Sequence, residues 1–532
     1  MTPNPQPEAP ARPTTAQASI ARVTPDTLKT WLHDGQELAL LDVREHGQYG
    51  QAHLFYAVNT PYSQLEFEAG RLVPRRGTRL VVYDQNDGLA ERAARALRAQ
   101  GYGRLAVLDG GLPAWQRQGY AVFAGVNLPS KTFGELVEQH LHTPTMSADE
   151  LHQRQARGDK LVLLDGRPYA EYQKMSLPAA ICCPNGELAL RIDSLVPDTA
   201  TPIVIHCAGR TRSIIGAQTL INLGLPNPIY ALENGTQGWF LRDYALEHGQ
   251  TRRHPAAPSP VQTRHARQRA LALARRHGVP LISPAALRAL QADPARTTYV
   301  LDVRTAQEFA DGTWAGAEHA PGGQLVQATD QFVGTRGARL VLVDGEEVRA
   351  PVVASWLRQL GWEACALQAG PLAAAPRALP PPVPGLPRID SVQARARLDE
   401  GRSFIDLRPS MHYRQSHIAT AQWRIRSRGE PLAPGAVLIA SDARVAALYV
   451  GEHGRSDDAE LLLDTPDQWR AAGLPIQSTP AMPPDEACID FLFFVHDRHS
   501  GNKAAARQYL QWEMELVRQI DAQERAAFRI QA

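Results

Sequence analysis

Apolar residues along this chain fall in short continuous runs: LALLD at 38–42, RLVVYD at 79–84, LVLLD at 161–165, PIVIHC at 202–207, YVLD at 299–302, RLVLVD at 339–344, SFID at 403–406 and AVLIAS at 436–441. Runs without alternation are expected of parallel strands covered on both faces. Helical patterns follow, such as GLAERAARALRAQG after Asp84 and TRSIIGAQTLINLG after Cys207, each closing on a terminating Gly. A third run comes next in each case: RLAVLDGG, NPIYALENG, ACALQAG and AELLLD. Three copies then place a Trp in a short helix, at Trp115, Trp239 and Trp469. Strands alternating with helices over about 100 residues predict α/β units, each a mainly parallel sheet flanked by helices.

The pattern repeats. Four runs end in Asp-x-Arg followed by a polar segment and an aromatic: Asp42 and Arg44, Asp165 and Arg167, Asp302 and Arg304, Asp406 and Arg408. From that Asp to the end of the next strand is 42 positions three times, reaching Asp84, Cys207 and Asp344; in the fourth copy it is 35, reaching Ser441. Four tandem units are therefore expected, over residues 18–126, 144–250, 279–374 and 388–478, with a C-terminal helical tail over 485–532. Residues 255–260 read as a linker and 375–387 as a stiff Pro-rich spacer. Met1 to Gln17, rich in Pro, Thr and Ala, reads as a disordered leader.

Composition narrows the class. The 532 residues are 44% apolar and 21% charged, with a net charge of +1. That balance excludes wholesale disorder and a coiled-coil rod, and argues against nucleic acid as a partner. No stretch of about 18 apolar residues suggests a membrane span. Five cysteines are too few for a disulfide scaffold and fit a reducing, cytoplasmic setting. Basic charge is almost all Arg; the five lysines are Lys29, Lys131, Lys160, Lys174 and Lys503. This bias reads as the coding preference of a GC-rich bacterium.

Of the four equivalent strand ends, one alone carries a thiol. It lies in His206-Cys207-Ala208-Gly209-Arg210-Thr211-Arg212-Ser213. Cys207 ends a strand and precedes a helix, where backbone N–H groups and the positive helix end converge. Gly209 permits a tight turn around an anion, and Arg210 and Arg212 bring two cationic charges. Such surroundings favour thiolate over thiol. The same cradle suits an oxyanion or a terminal persulfide.

The Asp-x-Arg strand, the strand-Cys-loop-helix and the later Gly-Trp segment resemble the rhodanese sulfurtransferases, over all four units. The resemblance implies that Cys207 accepts the outer sulfur of thiosulfate or a similar donor. The persulfide then passes it to a thiophilic acceptor, a thiol or cyanide, with no metal or organic cofactor. Ala208, Gly209, Arg210, Thr211, Arg212 and Ser213 would bind substrate and persulfide, while Asp165 and Arg167 would support the sheet end beneath the loop. The C-x4-R loop from Cys207 to Arg212 is the short form; related dual-specificity phosphatases use C-x5-R. A phosphatase or arsenate reductase on the same sheet is thus disfavoured. Asp84, Asp344 and Ser441 make the other units silent, and the segments after them lack the paired arginines. A scaffold that senses sulfur or oxidants, or recruits a protein partner through the silent units, is the other alternative. His206 is read as structural; Cys182, Cys183 and Cys365 as core; His496 and His499 as surface or docking groups; and the Arg-rich helix near 264–276 as a solvated face.

Overall fold

The computed structural model describes residues 20–368, 370, 372, 385–454, 458–496 and 502–531. The expected leader, most of the 375–387 spacer and His499 lie outside them. Each unit is built on a mostly parallel sheet. In the second unit the strands run, edge to edge, Thr145–Met146, Ile229–Leu232, Ile203–His206, Val162–Asp165, Ile181–Cys182. The third repeats this order with Leu281–Ile282, Glu363–Leu367, Arg339–Val343, Thr298–Asp302, Glu318–His319. The first and fourth units follow the same plan, except that Thr335–Arg336 of the third unit adds an antiparallel strand beside Leu38–Asp42 of the first. Central strands such as Leu38–Asp42 and Arg79–Tyr83 are buried along their whole length, so both faces are covered. The two edge strands of each sheet, two or three residues long, escape sequence detection because so few residues show no periodicity.

The second and third units share one core, in which Leu188, Ile192, Ile214 and Leu220 meet Leu325, Val352, Val353 and Leu357. Their contacts are reciprocal. Residues 137 positions apart are counterparts, as Asp165 and Asp302 are. Arg212 Nη1 donates to Gln324 Oε1 at 3.4 Å, and its counterpart Arg349 donates Nη1 to Glu187 Oε1, the counterpart of Gln324, at 2.9 Å. The Trp356 indole donates to the hydroxyl of its own counterpart, Thr219, at 2.9 Å. Residue i meeting j while j′ meets i′ is the signature of an isologous, pseudo-twofold contact. The first and fourth units meet likewise: Arg426 and its counterpart Tyr62 touch, with Arg426 also paired to Glu66 at 2.6 and 2.7 Å. Unit two thus faces three, and one faces four.

Two expectations are corrected. The helix Pro260–Arg276 is not simply a solvated face: Ala266, Ala270, Leu273 and Ala274 are buried between units two and three. Small residues four apart let it sit close, while Arg267 and Arg269 pair with Glu347 and Asp193 on either side. The helical tail expected over 485–532, whose pattern from 504 to 528 reads as one continuous helix, is broken: its described residues form the helices Phe493–His496, Lys503–Gln519 and Ala522–Ala526. Ile520 is extended, and the Asp521 carboxylate caps the second helix by accepting from the Glu524 amide at 2.8 Å. The tail folds back onto the body. The Trp512 indole donates to Ala124 O at 2.9 Å, and a Cβ on Gly125 would lie 2.1 Å from the Trp512 ring.

Candidate active site

Cys207 follows the strand Ile203–His206, and the helix Thr211–Asn222 starts four residues later. The thiol is buried, with Sγ 3.1 Å from Ser213 Oγ. The loop is tied down from outside: the Cys207 and Ala208 carbonyls accept from the amides of Thr236 and Gln237 at 2.8 and 3.1 Å. Gly235, at φ +51°, makes this possible, since a Cβ there would fall 2.2 Å from the Cys207 carbonyl oxygen.

Beneath the loop Asp165 and Arg167 form a two-point pair at 2.6 and 2.9 Å, and Arg167 also donates to Met175 O at 2.5 Å. Ser176 Oγ donates to Asp165 at 3.0 Å, and His206 Nε2 lies 3.6 Å from the same carboxylate. Burial works to raise the Asp165 carboxyl, but His206 and Arg167 outweigh it and hold it at about 2. Burial pushes His206 down to about 4, which leaves a neutral ring beside Asp165. Burial pushes Cys182 up to about 12 and Cys365 up to about 11, and holds Cys183 well above the usual thiol range. Cys182 donates weakly to Arg167 O.

The counterparts of Cys207 in units one and three are carboxylates. Asp344, the counterpart of Cys207, turns its carboxylate into the turn and accepts from four backbone amides: Glu346 (2.9 Å), Glu347 (2.5 Å), Val348 (3.0 Å) and Ala350 (2.7 Å). Asp84 accepts from the amides of Asn86 at 2.8 Å and Ala90 at 2.9 Å. Counting back 137 positions, the amides around Asp344 correspond to those of Gly209, Arg210, Thr211 and Ser213. In two units a carboxylate thus accepts from the amides of this loop. The second unit turns its loop differently: Arg210 has φ −116°, where its counterpart Glu347 has φ +56°. Unit three also keeps one arginine: Arg349 holds the place of Arg212 and pairs with Glu308, as Arg212 pairs with Glu171.

The two loop arginines are not the bare cations that the sequence suggested. Arg210 is held by Glu135, at 2.8 and 2.9 Å, and by Glu138, and Arg212 by Glu171 through two 2.8 Å bonds. Their charges are balanced, so they brace the loop as much as they attract an anion. Around Cys207 lies a cavity of about 60 Å³, walled by the loop and by Asn127, Lys131, Gln327, Val495, Tyr509 and Glu513. Lys131, Glu135 and Glu138 come from the helix Leu128–Leu141, between the first two units. Gln327 comes from unit three, and the last three residues from the tail. None was identified from sequence. The single available signal was Lys131 itself, one of only five lysines. His496 lies in the tail at the end of the short helix Phe493–His496. Among the described residues no group of His, Cys, Asp and Glu is placed to hold a metal, and no helix is long and apolar enough to cross a membrane.

Known proteins resemble this chain in sequence and fold. The rhodanese-like domain model matches residues 24–118 and 147–241. The crystal structure of a thiosulfate sulfurtransferase from Pseudomonas aeruginosa is 40% identical, with a TM-score of 0.88, covering 96% of this chain and 99% of that one. A sulfurtransferase of Allochromatium vinosum is 26% identical over 105 residues, 20% of this chain and 96% of its own length. The probable adenylyltransferase/sulfurtransferase MoeZ of Mycobacterium tuberculosis is 29% identical over 101 residues, 19% of this chain. The match spans only 26% of the length of MoeZ.

Proposed function

Taking as premise that the chain belongs to the rhodanese family of sulfurtransferases, we propose that it carries sulfur as a persulfide on Cys207, with thiosulfate or a similar anion as donor. The reading rests on one observation above all: where Cys207 has its thiol, Asp344 has a carboxylate accepting four backbone amides. The outer sulfur of a cysteine persulfide stands two bonds from Cβ, as the carboxylate oxygens of Asp do. The silent aspartates are thus built-in mimics of the loaded cysteine.

In the first step the Cys207 thiolate attacks the sulfane sulfur of thiosulfate. A Cys–S bond to that sulfur forms, the bond between the two donor sulfurs breaks, and sulfite leaves with the electron pair. The amides of Gly209, Arg210, Thr211 and Ser213 hold the persulfide charge in a water-poor pocket, where fixed dipoles act strongly. In the second step a thiolate or cyanide attacks the outer sulfur, and the Cys207 thiolate departs. Arg210 and Arg212, locked by their carboxylates, keep the loop in register. No step calls on a metal or organic cofactor. The five free thiols suit a reducing, cytoplasmic setting.

Intact mass after thiosulfate treatment tests this. The wild type gains one sulfur atom, and Cys207→Ser gains none. A protein that takes no sulfur, or that instead cleaves an aryl phosphate, would overturn it.

A further inference from the structure

Three cations wall the Cys207 cavity: Lys131, Arg210 and Arg212. Each has a carboxylate partner. Those of the two arginines come from unit two and the helix leading into it, close in the chain. That of Lys131 comes from the far end of the sequence: Lys131 Nζ donates to Glu513 Oε1 at 2.8 Å, and Thr211 Oγ1 donates to the same oxygen at 2.7 Å. Lys131 and Glu513 are 8% and 1% exposed. The ammonium also lies 5.2 Å from the Tyr509 ring centre and 5.8 Å from that of Trp512, two aromatic faces of the same tail helix. Thr211 makes this contact by its hydroxyl, and its counterpart in unit three, Val348, donates its amide to Asp344. A single carboxylate oxygen therefore sits where the ammonium, the loop hydroxyl and the mouth of the cradle converge.

That arrangement is the one a substrate oxyanion would meet. We propose that Lys131 is the residue that recognises the donor's anionic group, and that Glu513 is its resident counter-ion, which the donor displaces. This rests on the reading of Cys207 as the sulfur-carrying centre. Glu513 supplies the opposite charge that a buried ammonium needs. A compact dianion such as thiosulfate then takes over the ammonium and the Thr211 hydroxyl, and the Glu513 side chain swings aside. The tail helix thereby sets the donor preference. A cavity of about 60 Å³, walled by Tyr509 and Val495, admits a small inorganic anion and excludes a bulky organic one, since each ordered water alone needs roughly 10–15 Å³ of such space.

The test uses full-length protein in a Cys207→Ser background, so that binding is read apart from sulfur transfer. Thiosulfate is titrated by calorimetry into this protein and into the same protein carrying Glu513→Gln. Gln keeps a carbonyl for Lys131 and Thr211 but removes the competing charge. Thiosulfate Kd is expected to fall about tenfold or more, the order set by removing a like charge a few ångströms from a dianion. Lys131→Met alone would strand a buried carboxylate, so it is combined with Glu513→Gln; the double variant is expected to lose the whole gain. Methanethiosulfonate, a monoanion, should gain less from Glu513→Gln than thiosulfate does. An unchanged or weaker thiosulfate Kd in Glu513→Gln overturns the proposal, as does a double variant that binds as tightly as Glu513→Gln. Failure of sulfur loading on wild-type Cys207, measured separately, would overturn the earlier reading and leave this binding result to be judged on its own.

Discussion

Asp344→Asn is the most direct probe of the idea that these loops are anion cradles. The carboxylate uses both oxygens, one accepting from Glu346 and Glu347 and the other from Val348 and Ala350. An amide keeps the shape but offers one oxygen. Whichever way it turns, two buried N–H groups then face an NH2. Each orphaned donor costs about 1–3 kcal/mol, so the substitution should destabilise the structure by about 2–6 kcal/mol. Units two and three share a core and are expected to melt together. For a cooperative block of that size each kcal/mol moves the thermal midpoint by about 2–4 °C, so a fall of at least about 4 °C is expected by calorimetry. Amide hydrogen exchange at residues 346–350 should quicken at the same time. A midpoint within about 1 °C of wild type would refute the account, since it would mean that the carboxylate adds nothing a neutral amide lacks. The same physics has a counterpart in unit two. On the proposed function, thiosulfate loads Cys207 with a charged sulfur held by the loop amides, so treatment should raise the midpoint of the wild type and leave Cys207→Ser unmoved.

Two further outcomes follow from the site. Gly235→Ala forces a Cβ to within 2.2 Å of the Cys207 carbonyl at a left-handed φ, so the loop must shift and lose its bond from Thr236; sulfur uptake followed by timed intact mass should slow about tenfold, by a cost of about 1.4 kcal/mol or more, and an unchanged rate would count against the loop's dependence on this turn. His206, held down to about 4 by burial, is neutral in the fold, whereas the unfolded chain takes up the proton below about pH 6.5. Its contribution is complete above that pH and drains away as pH falls toward 4, by about 2 kcal/mol between pH 7 and 5. Denaturant titrations of His206→Gln should therefore lose less stability over that interval than the wild type does; parallel losses would show that the ring does not titrate as described.

Much of the molecule was legible along the chain. Strand runs such as RLVLVD and PIVIHC, the Asp-x-Arg pairs and the 42-residue spacing are local patterns. They follow from two-sided burial and strand-to-helix turns, which need only neighbouring residues to express themselves. The same holds for the place of the Cys207 loop and for the Asp residues at the equivalent strand ends, because a strand end is occupied by one residue whose chemistry is plain. By itself the sequence thus determined four α/β units and a single thiol at a strand-to-helix turn. Tertiary structure decided the rest. Which unit faces which depends on complementary surfaces between residues far apart, such as Arg349 with Glu187 and Arg426 with Glu66, and no periodicity records that. Only packing put Glu513 beside Lys131, 382 positions away, and only packing gave Arg210 and Arg212 their carboxylates. Charge in a sequence is a count; whether a cation is available to a substrate depends on what the fold has already laid against it.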